Sequence, residues 1–316
     1  MEFSEINASS TPLVSVVIPT YNSAAFLSEA ITSVLNQTYR PVEIIVIDDG
    51  STDNTETVAA TFKEAIRYSK KANGGPSAAR NVGIRHSSGE FIAFLDADDL
   101  WLPDKLELQI AHFNEHPEYG VVFTGSQRFN ESGVLDSNIR AGRDIPTGMI
   151  FDKILLEHFI AMPSVMVRRR CLDEVGLFDE GLIGNEDFNF YLRLAKKYPF
   201  GFVNKILVHI RCHDKNLSDN LEQMCNDEIK NLEKIAALFP DEPIPKRRLA
   251  GNIYARFGRY YFSQQRFAEA RRCFRQAFRH WPWQAGSLPF FLIAALPDRL
   301  RHRVLSLNKS LKKSVR

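Results

Sequence analysis

Cysteine is scarce and scattered in this chain: Cys171, Cys212, Cys225 and Cys273 form no C-x-x-C pair, and no signal-peptide pattern places them in an oxidising compartment. Reduced thiols in a cytoplasmic protein are therefore expected. Also missing is any apolar run of the ~20 residues needed to span a bilayer. The longest candidate, Leu288 to Leu296, is bounded by Pro289 and Pro297. A third absence lies after the first predicted strand. A Gly-rich, basic phosphate loop is what a nucleotidyltransferase of α/β architecture usually shows there, and this chain has Pro19-Thr20-Tyr21-Asn22 instead.

What is present suffices for two domains. The 316 residues are 44% hydrophobic, enough for one catalytic domain and an appendage. The net charge of +2 hides an asymmetry. From Lys246 to Arg316 there are 17 Lys and Arg against Glu269 and Asp298, a balance of +15 that leaves −13 for residues 1–245. A basic tail on an acidic body suggests an anionic partner, with membrane lipid preferred because no RNA- or DNA-binding module is recognisable. A solvated basic helix face remains the plain alternative.

Along the chain, residues 1–12 read as a flexible terminus. Val14 to Ile18, Glu43 to Ile47, Ile66 to Ser69 and Glu90 to Leu95 then read as strands. They alternate with helical spacing at Ala24 to Leu35, at Asp53 to Phe62, where Asp53 or Ser51 is available as N-cap, and at Ser77 to Ile84. This alternation predicts βαβ units and a largely parallel sheet. Residues 119–208 mix shorter strands and helices, with strands predicted at Val121 to Thr124, Val165 to Arg168 and Phe202 to Val208. Beyond about Leu217 the pattern is wholly helical. Residues 251–284 place Tyr254, Gly258, Tyr261, Phe267, Ala270, Phe274, Ala277 and Pro282 at tetratricopeptide-repeat positions, with Gln265 where the motif usually has Gly. One repeat cannot bury its faces alone, so it either packs on neighbouring helices or docks a partner.

Ligands bind beyond the carboxyl ends of strands in such sheets. Here those ends carry Thr20-Tyr21-Asn22, Asp48-Asp49-Gly50-Ser51 and Asp96-Ala97-Asp98-Asp99. Three carboxylates in four positions are costly unless a cation or solvent compensates them, and a hard dication such as Mg2+ or Mn2+ suits oxygen ligands and phosphates. A turn capping the helix near Pro103 would give a similar pattern.

The ordered segments decide between these. Val14 to Asn22, Gln37-Thr38-Tyr39, Glu43 to Thr55, Asn73 to Asn81 and Gly89 to Trp101 together resemble the family 2 glycosyltransferases of the GT-A fold, over roughly residues 13–215. The resemblance implies a mixed, mostly parallel sheet between helices over residues 13–217, followed by an all-α extension over 218–316. It implies that Thr20 and Tyr21 line a nucleotide base and that Asp49 accepts a hydrogen bond from it. Asp48 would support the loop. Arg80 would face phosphate or sugar, with a surface helix charge as the alternative. The family's DxD motif falls on Asp96 and Asp98, with Asp98 on the metal, Asp96 on sugar or ribose hydroxyls, and Asp99 nearby. Gly184-Asn185-Glu186-Asp187 resembles the Glu-Asp motif, which makes Asp187 the catalytic base and lets Glu186 orient a substrate; otherwise the pair merely favours a helix dipole. Ile210 to Ser218 resembles the closing segment, with His213 completing the metal site or touching diphosphate and Arg211 helping to neutralise it.

The implied activity is inverting transfer from a nucleotide-diphosphate sugar, UDP-linked by preference, in cell-surface glycan or polysaccharide synthesis. A glycan, a lipid-linked glycan or a protein remain alternatives for the acceptor. Pro146 to Pro163 and the loop before Glu186 are expected to shape its choice. The rivals are a nucleotidyltransferase and a non-catalytic scaffold built on the helical repeat. A cytoplasmic location is expected, with peripheral contact at the inner membrane face.

Overall fold

The computed structural model describes residues 11–136, 145–182, 184–213, 221–283 and 285–307. The chain divides into two compact units, Met1–Asn216 and Leu217–Arg316.

The first unit begins with β1 (Val14–Thr20), α1 (Leu27–Leu35), β2 (Val42–Asp48), α2 (Thr55–Ala60), β3 (Arg67–Lys70), α3 (Gly75–His86) and β4 (Phe91–Phe94). β1, β2 and β4 are almost wholly buried, so they read as continuous apolar runs rather than alternating ones. Parallel pairing of β2 and β4 on either side of β1 sets Thr20 level with Asp48. The polar residues that follow each strand therefore emerge at one edge of the sheet. α3 can lie close on β1 because Gly83 has no Cβ to meet the Val17 side chain.

Next come β5 (Leu100–Trp101), α4 (Lys105–Glu115), β6 (Val121–Asn130), β7 (Gly133–Asp136), α5 (Phe151–Leu156), β8 (Met166–Arg168), α6 (Arg169–Val175), α7 (Glu186–Lys197) and β9 (Phe200–Arg211). The nine-stranded sheet has the order β3-β2-β1-β4-β8-β6-β9-β5, with β7 paired to β6. β1, β2, β3, β4, β6 and β9 run in one direction, and β5, β7 and β8 run against it. One core, from Val14 through Phe113 to Val208, fills the space beneath α1 and α4. Lys105 is fully buried in this layer. Its Nζ sits 3.9 Å from the Trp101 ring centroid and donates to Gln109 Oε1 at 2.7 Å.

Several boundaries differ from the sequence reading. α1 begins at Leu27 rather than Ala24, because Asn22 is left-handed (φ 50°) and the chain turns before the helix starts. α2 is shorter than Asp53 to Phe62. Asp53 Oδ1 receives the Thr55 N–H at 3.0 Å from just outside the helix, while the Ser51 hydroxyl receives the N–H of Asn22 and caps nothing. β6 and β9 are longer than expected, since they pair with each other along nearly their whole length across irregularities at Thr124 to Ser126.

The second unit is α8 (Leu221–Leu238), α9 (Lys246–Ser263), α10 (Phe267–His280), α11 (Leu288–Ala295) and α12 (Asp298–Leu307). α9 and α10 form a helix–turn–helix whose turn contains left-handed Gln265 (φ 60°). A Cβ on Gly258 would stand 2.7 Å from the Phe274 ring, and one on Gly251 would stand 2.6 Å from Trp281, so both glycines permit close helix approach. Tyr261, Ala270, Phe274, Phe290 and Ile293 make a separate core. No helix among the described residues is long and apolar enough to cross a membrane.

Candidate active site

The site is assembled at the carboxyl edge of the sheet. After β2, Asp48 is fully buried and supports the loop: its Oδ1 receives the Ser51 N–H at 2.7 Å and its Oδ2 the Tyr68 hydroxyl at 2.6 Å. Burial, and then the Asp48 carboxylate, push the Tyr68 phenol well above its ordinary range. Asp49 holds the start of α3. Its two oxygens receive the N–H groups of Gly74 at 3.0 Å and Gly75 at 2.7 Å, and Lys71 Nζ lies 2.5 Å away. Gly75 is left-handed at φ 87°, which its missing side chain permits. After β1, Thr20 is buried with no partner for its hydroxyl, and Tyr21 is half exposed. A wall of one unsatisfied hydroxyl and one exposed ring suits a flat polar heterocycle.

After β4, three carboxylates follow within four residues. Asp96 and Asp98 remain partly open, with side chains 31% and 27% exposed, while Asp99 is buried. Burial and the neighbouring carboxylates raise Asp98 above the usual carboxylate range and Asp99 well above it. This is the electrostatics of a site built for added positive charge; a dication among these oxygens would favour the ionised forms.

The antiparallel pairing of β5 with β9 sets Leu100 opposite His209, and so delivers the end of β9 to this cluster. His213 Nε2 lies 3.0 Å from Asp98 Oδ2, and its ring stacks on Phe26 at 4.7 Å. Arg211 donates its backbone N–H to Asp99 Oδ1 (2.8 Å), its Nε–H to the Asp98 carbonyl (2.9 Å) and its Nη2–H to Glu29 (2.7 Å). It therefore ties the cluster to α1 as well as adding charge. Asp214 to Ser218 of this segment lie outside the described residues.

Arg80 is where the two motifs meet. It is buried on α3, with Nη2 2.8 Å from Asp96 Oδ1 and Nη1 2.6 Å from Glu186 Oε1. Burial opposes its charge, but the two carboxylates outweigh that and raise its pKa. It is not a surface helix charge. Glu186 opens α7 directly after left-handed Asn185 (φ 56°). Burial raises Glu186, Arg80 opposes this, and Asp187 adds to it.

Asp187 Oδ1 receives the N–H of Phe188 at 2.7 Å, and Oδ2 lies 3.2 Å from His158 Nε2. Burial works against its charge, but His158 and the Phe188 hydrogen bond hold it below its ordinary range. His158 was not legible in sequence. It stands in the run Leu155 to Ile160 with nothing to set it apart, and its partner is far along the chain.

A described cluster with metal-binding spacing lies elsewhere: His112, Glu115 and His116 bring ligand atoms within 4.8 Å of one another. They lie at the end of α4 that leads into the start of β6. As β6 runs parallel to β4, that is the edge of the sheet opposite Asp98.

A nine-stranded GT-A sheet with an aspartate cluster, an acidic pair and a histidine at its carboxyl edge defines a glycosyltransferase. The profile of Glycosyl transferase family 2 matches residues 15–176, and the chain belongs to that family. It is 34% identical to an uncharacterized glycosyltransferase of Rickettsia felis over 68% of this chain and 37% of that protein. To chondroitin synthase of Escherichia coli it is 30% identical over 66% and 30% respectively. The match thus spans well under half of either relative. Among solved structures, S. aureus TarS in complex with UDP-GlcNAc has a TM-score of 0.65 at 23% identity, covering 91% of this chain and 82% of that one. A mannosyltransferase of Pyrobaculum calidifontis in complex with GDP-Man and Mn2+ has a TM-score of 0.63 at 18% identity, covering 97% and 84%.

Proposed function

We propose that this glycosyltransferase is inverting, takes a UDP-linked sugar and transfers it to an acceptor hydroxyl in cell-surface glycan or polysaccharide synthesis. The observation that carries the reading is the Arg80 bridge. One buried guanidinium, 106 residues before Glu186 in sequence, joins that residue, beside Asp187, to Asp96 of the DxD cluster. Donor-binding and base functions thereby belong to one site. The UDP-GlcNAc complex supports the donor class, and the chondroitin synthase relative supports a polysaccharide product.

Asp98 and His213 would hold a dication, Mn2+ or Mg2+, with Asp96 and Asp99 beside it. Two partly open carboxylates and an imidazole are a fitting donor set, and the Mn2+ complex of the mannosyltransferase supports it. Bound there, the ion supplies Lewis-acid stabilisation of the departing diphosphate. Thr20, Tyr21 and Asp49 receive the base, and Arg80 keeps Asp96 aimed at sugar or ribose hydroxyls. Asp187 takes the proton of the acceptor hydroxyl as its oxygen attacks the anomeric carbon. The bond from that carbon to the diphosphate oxygen breaks, and its electron pair leaves with the nucleotide. With the Asp96 and Glu186 carboxylates held by Arg80, one base at Asp187 makes this one displacement, so an α-linked donor gives a β-linked product.

The test is a panel of nucleotide sugars, read by thermal shift with and without Mn2+, then turnover and proton NMR of the product. UDP sugars should stabilise the protein most, and only with the metal. Retention of anomeric configuration, or a preference for GDP sugars, overturns the corresponding part.

A second reading concerns the helical unit, where Trp283 is 80% exposed near exposed Leu288 and Leu292 within the +15 region. Exposed tryptophan and leucine among basic residues suit an anionic membrane surface, where lipid-linked acceptors would reside. Each basic residue near lipid is worth about 1 kcal/mol. Flotation at low salt with anionic liposomes, and its loss on zwitterionic ones, checks this; indifference to anionic lipid refutes it.

A further inference from the structure

We propose that His158 is a positioning residue for the acceptor side of the reaction: its Nε2, 3.2 Å from Asp187 Oδ2, fixes the carboxylate in the pocket where an acceptor hydroxyl loses its proton. The inference rests on Asp187 being the base. Each carboxylate oxygen has two lone-pair directions. Oδ1 spends one on the Phe188 N–H, and Oδ2 has His158 Nε2 at ion-pair distance but outside hydrogen-bond alignment, so each oxygen of Asp187 has a defined neighbour.

The imidazole is itself held. Its ring lies 5.4 Å from Phe188 and 6.2 Å from Tyr191, centroid to centroid. These contacts place it, from the segment after α5, against the first turns of α7. A pocket of about 260 Å³ opens at this point, lined by His158, Phe159, Ile160, Ala161 and Asp187. Two polar groups beside an aromatic side chain suit a carbohydrate, which offers a CH face to a ring and a hydroxyl to the carboxylate.

The charges around Asp187 are Arg80 from α3, Asp96 after β4, Glu186 and the neutral Tyr191 phenol on α7, and His158. Arg80 is bound to Asp96 and Glu186, and among the described residues His158 is the basic side chain in direct contact with the Asp187 carboxylate. Turnover needs the ionised base. A base held below its ordinary range keeps working as pH falls, and loss of His158 moves the acid limb of the rate profile to higher pH.

The experiment measures kcat, donor KM and pH profiles for full-length wild type, His158→Ala, His158→Gln and Asp187→Asn, with melting curves for each. In His158→Ala, kcat should fall about ten- to a hundredfold, the scale of a misplaced catalytic group. Donor KM should stay unchanged and the acid limb should move up. His158→Gln keeps a donor at that reach without the charge, so it should recover most of kcat while its acid limb stays raised. Wild-type kcat and acid limb in His158→Ala overturn the proposal, as do equal losses in both variants with an unmoved profile, which would mean packing alone. If His158→Ala melts early, the acid limb of His158→Gln decides. Undiminished turnover in Asp187→Asn would instead remove the base assignment.

Discussion

In the α/β unit the buried polar side chains include Asp48, Asp49, Arg80, Asp99 and Glu186, each held by named partners at the carboxyl edge of the sheet. In the helical unit they are Asp227, Asn231 and Ser287. Asp227 is engaged locally, by Gln223 on the same helix. Burying charge costs several kcal/mol per ion unless it is compensated. The first unit accepts that cost five times in one place, whereas the second accepts it once among the described residues, at Asp227, which Lys230 pairs at 3.5 Å. Concentrated, mutually satisfied burial of charge marks the reactive unit, and the helical unit is a packed body with a charged skin.

The sharpest way to break this contrast is to remove charge from the cluster. Asp98→Asn should abolish Mn2+-dependent nucleotide binding and turnover, a loss of at least about a thousandfold given the several kcal/mol a Lewis acid supplies. Excess EDTA should do the same to wild type, and activity surviving EDTA would end the metal assignment. Next in size, Asp187→Asn should lower kcat by about 10²- to 10⁴-fold, the usual contribution of a general base, with donor affinity kept. Calorimetry with the nucleotide sugar alongside steady-state rates separates the two.

Packing changes come third and sharpen the comparison between units. Gly83→Ala forces a methyl onto Val17 in the middle of the sheet, where nothing can yield, and should cost about 1–3 kcal/mol in urea unfolding. Gly258→Ala meets the edge of the Phe274 ring at 2.7 Å, which can tilt, so its cost should be the smaller. Equal costs would contradict the contrast between a side chain packed inside the sheet and a ring that can tilt.

The smallest effect is expected at Lys105, whose pKa burial holds well below its ordinary value. The unfolded chain binds this proton at neutral pH more readily than the folded one, so Lys105 favours folding only above the unfolded pKa and loses that contribution as pH falls. Lys105→Met should therefore stabilise at pH 7 by no more than about 1.5 kcal/mol, net of the lost bond to Gln109. The difference from wild type should shrink towards pH 10.

Much of this was legible because the first half of the sheet writes itself locally. β1, β2 and β4 are buried on both faces, so each reads as an apolar run followed at once by polar residues, and parallel register brings those residues together. β6 and β9 were under-read for the opposite reason. Their outer halves, such as Gly125 to Arg128, are polar and are strand only because each pairs with the other. The Asp98–His213 contact was suggested by resemblance, while its cause, the β5–β9 pairing, has no local sign. Arg80 was left between two readings because burial is not written in a residue's neighbours. His158 was missed because its meaning depends on Asp187 alone.

The Arg80 fork also sets a spacing. A guanidinium is planar and rigid, so the gap between Asp96 and Glu186 is a fixed gauge about one side chain wide. A different sugar on the donor cannot be accommodated by sliding α7 away from β4 without breaking one of the two pairs. The segment from Pro146 to Pro163 touches neither end of the fork through any described ion pair. Arg80→Lys, which has one ammonium for two carboxylates, would release the gauge.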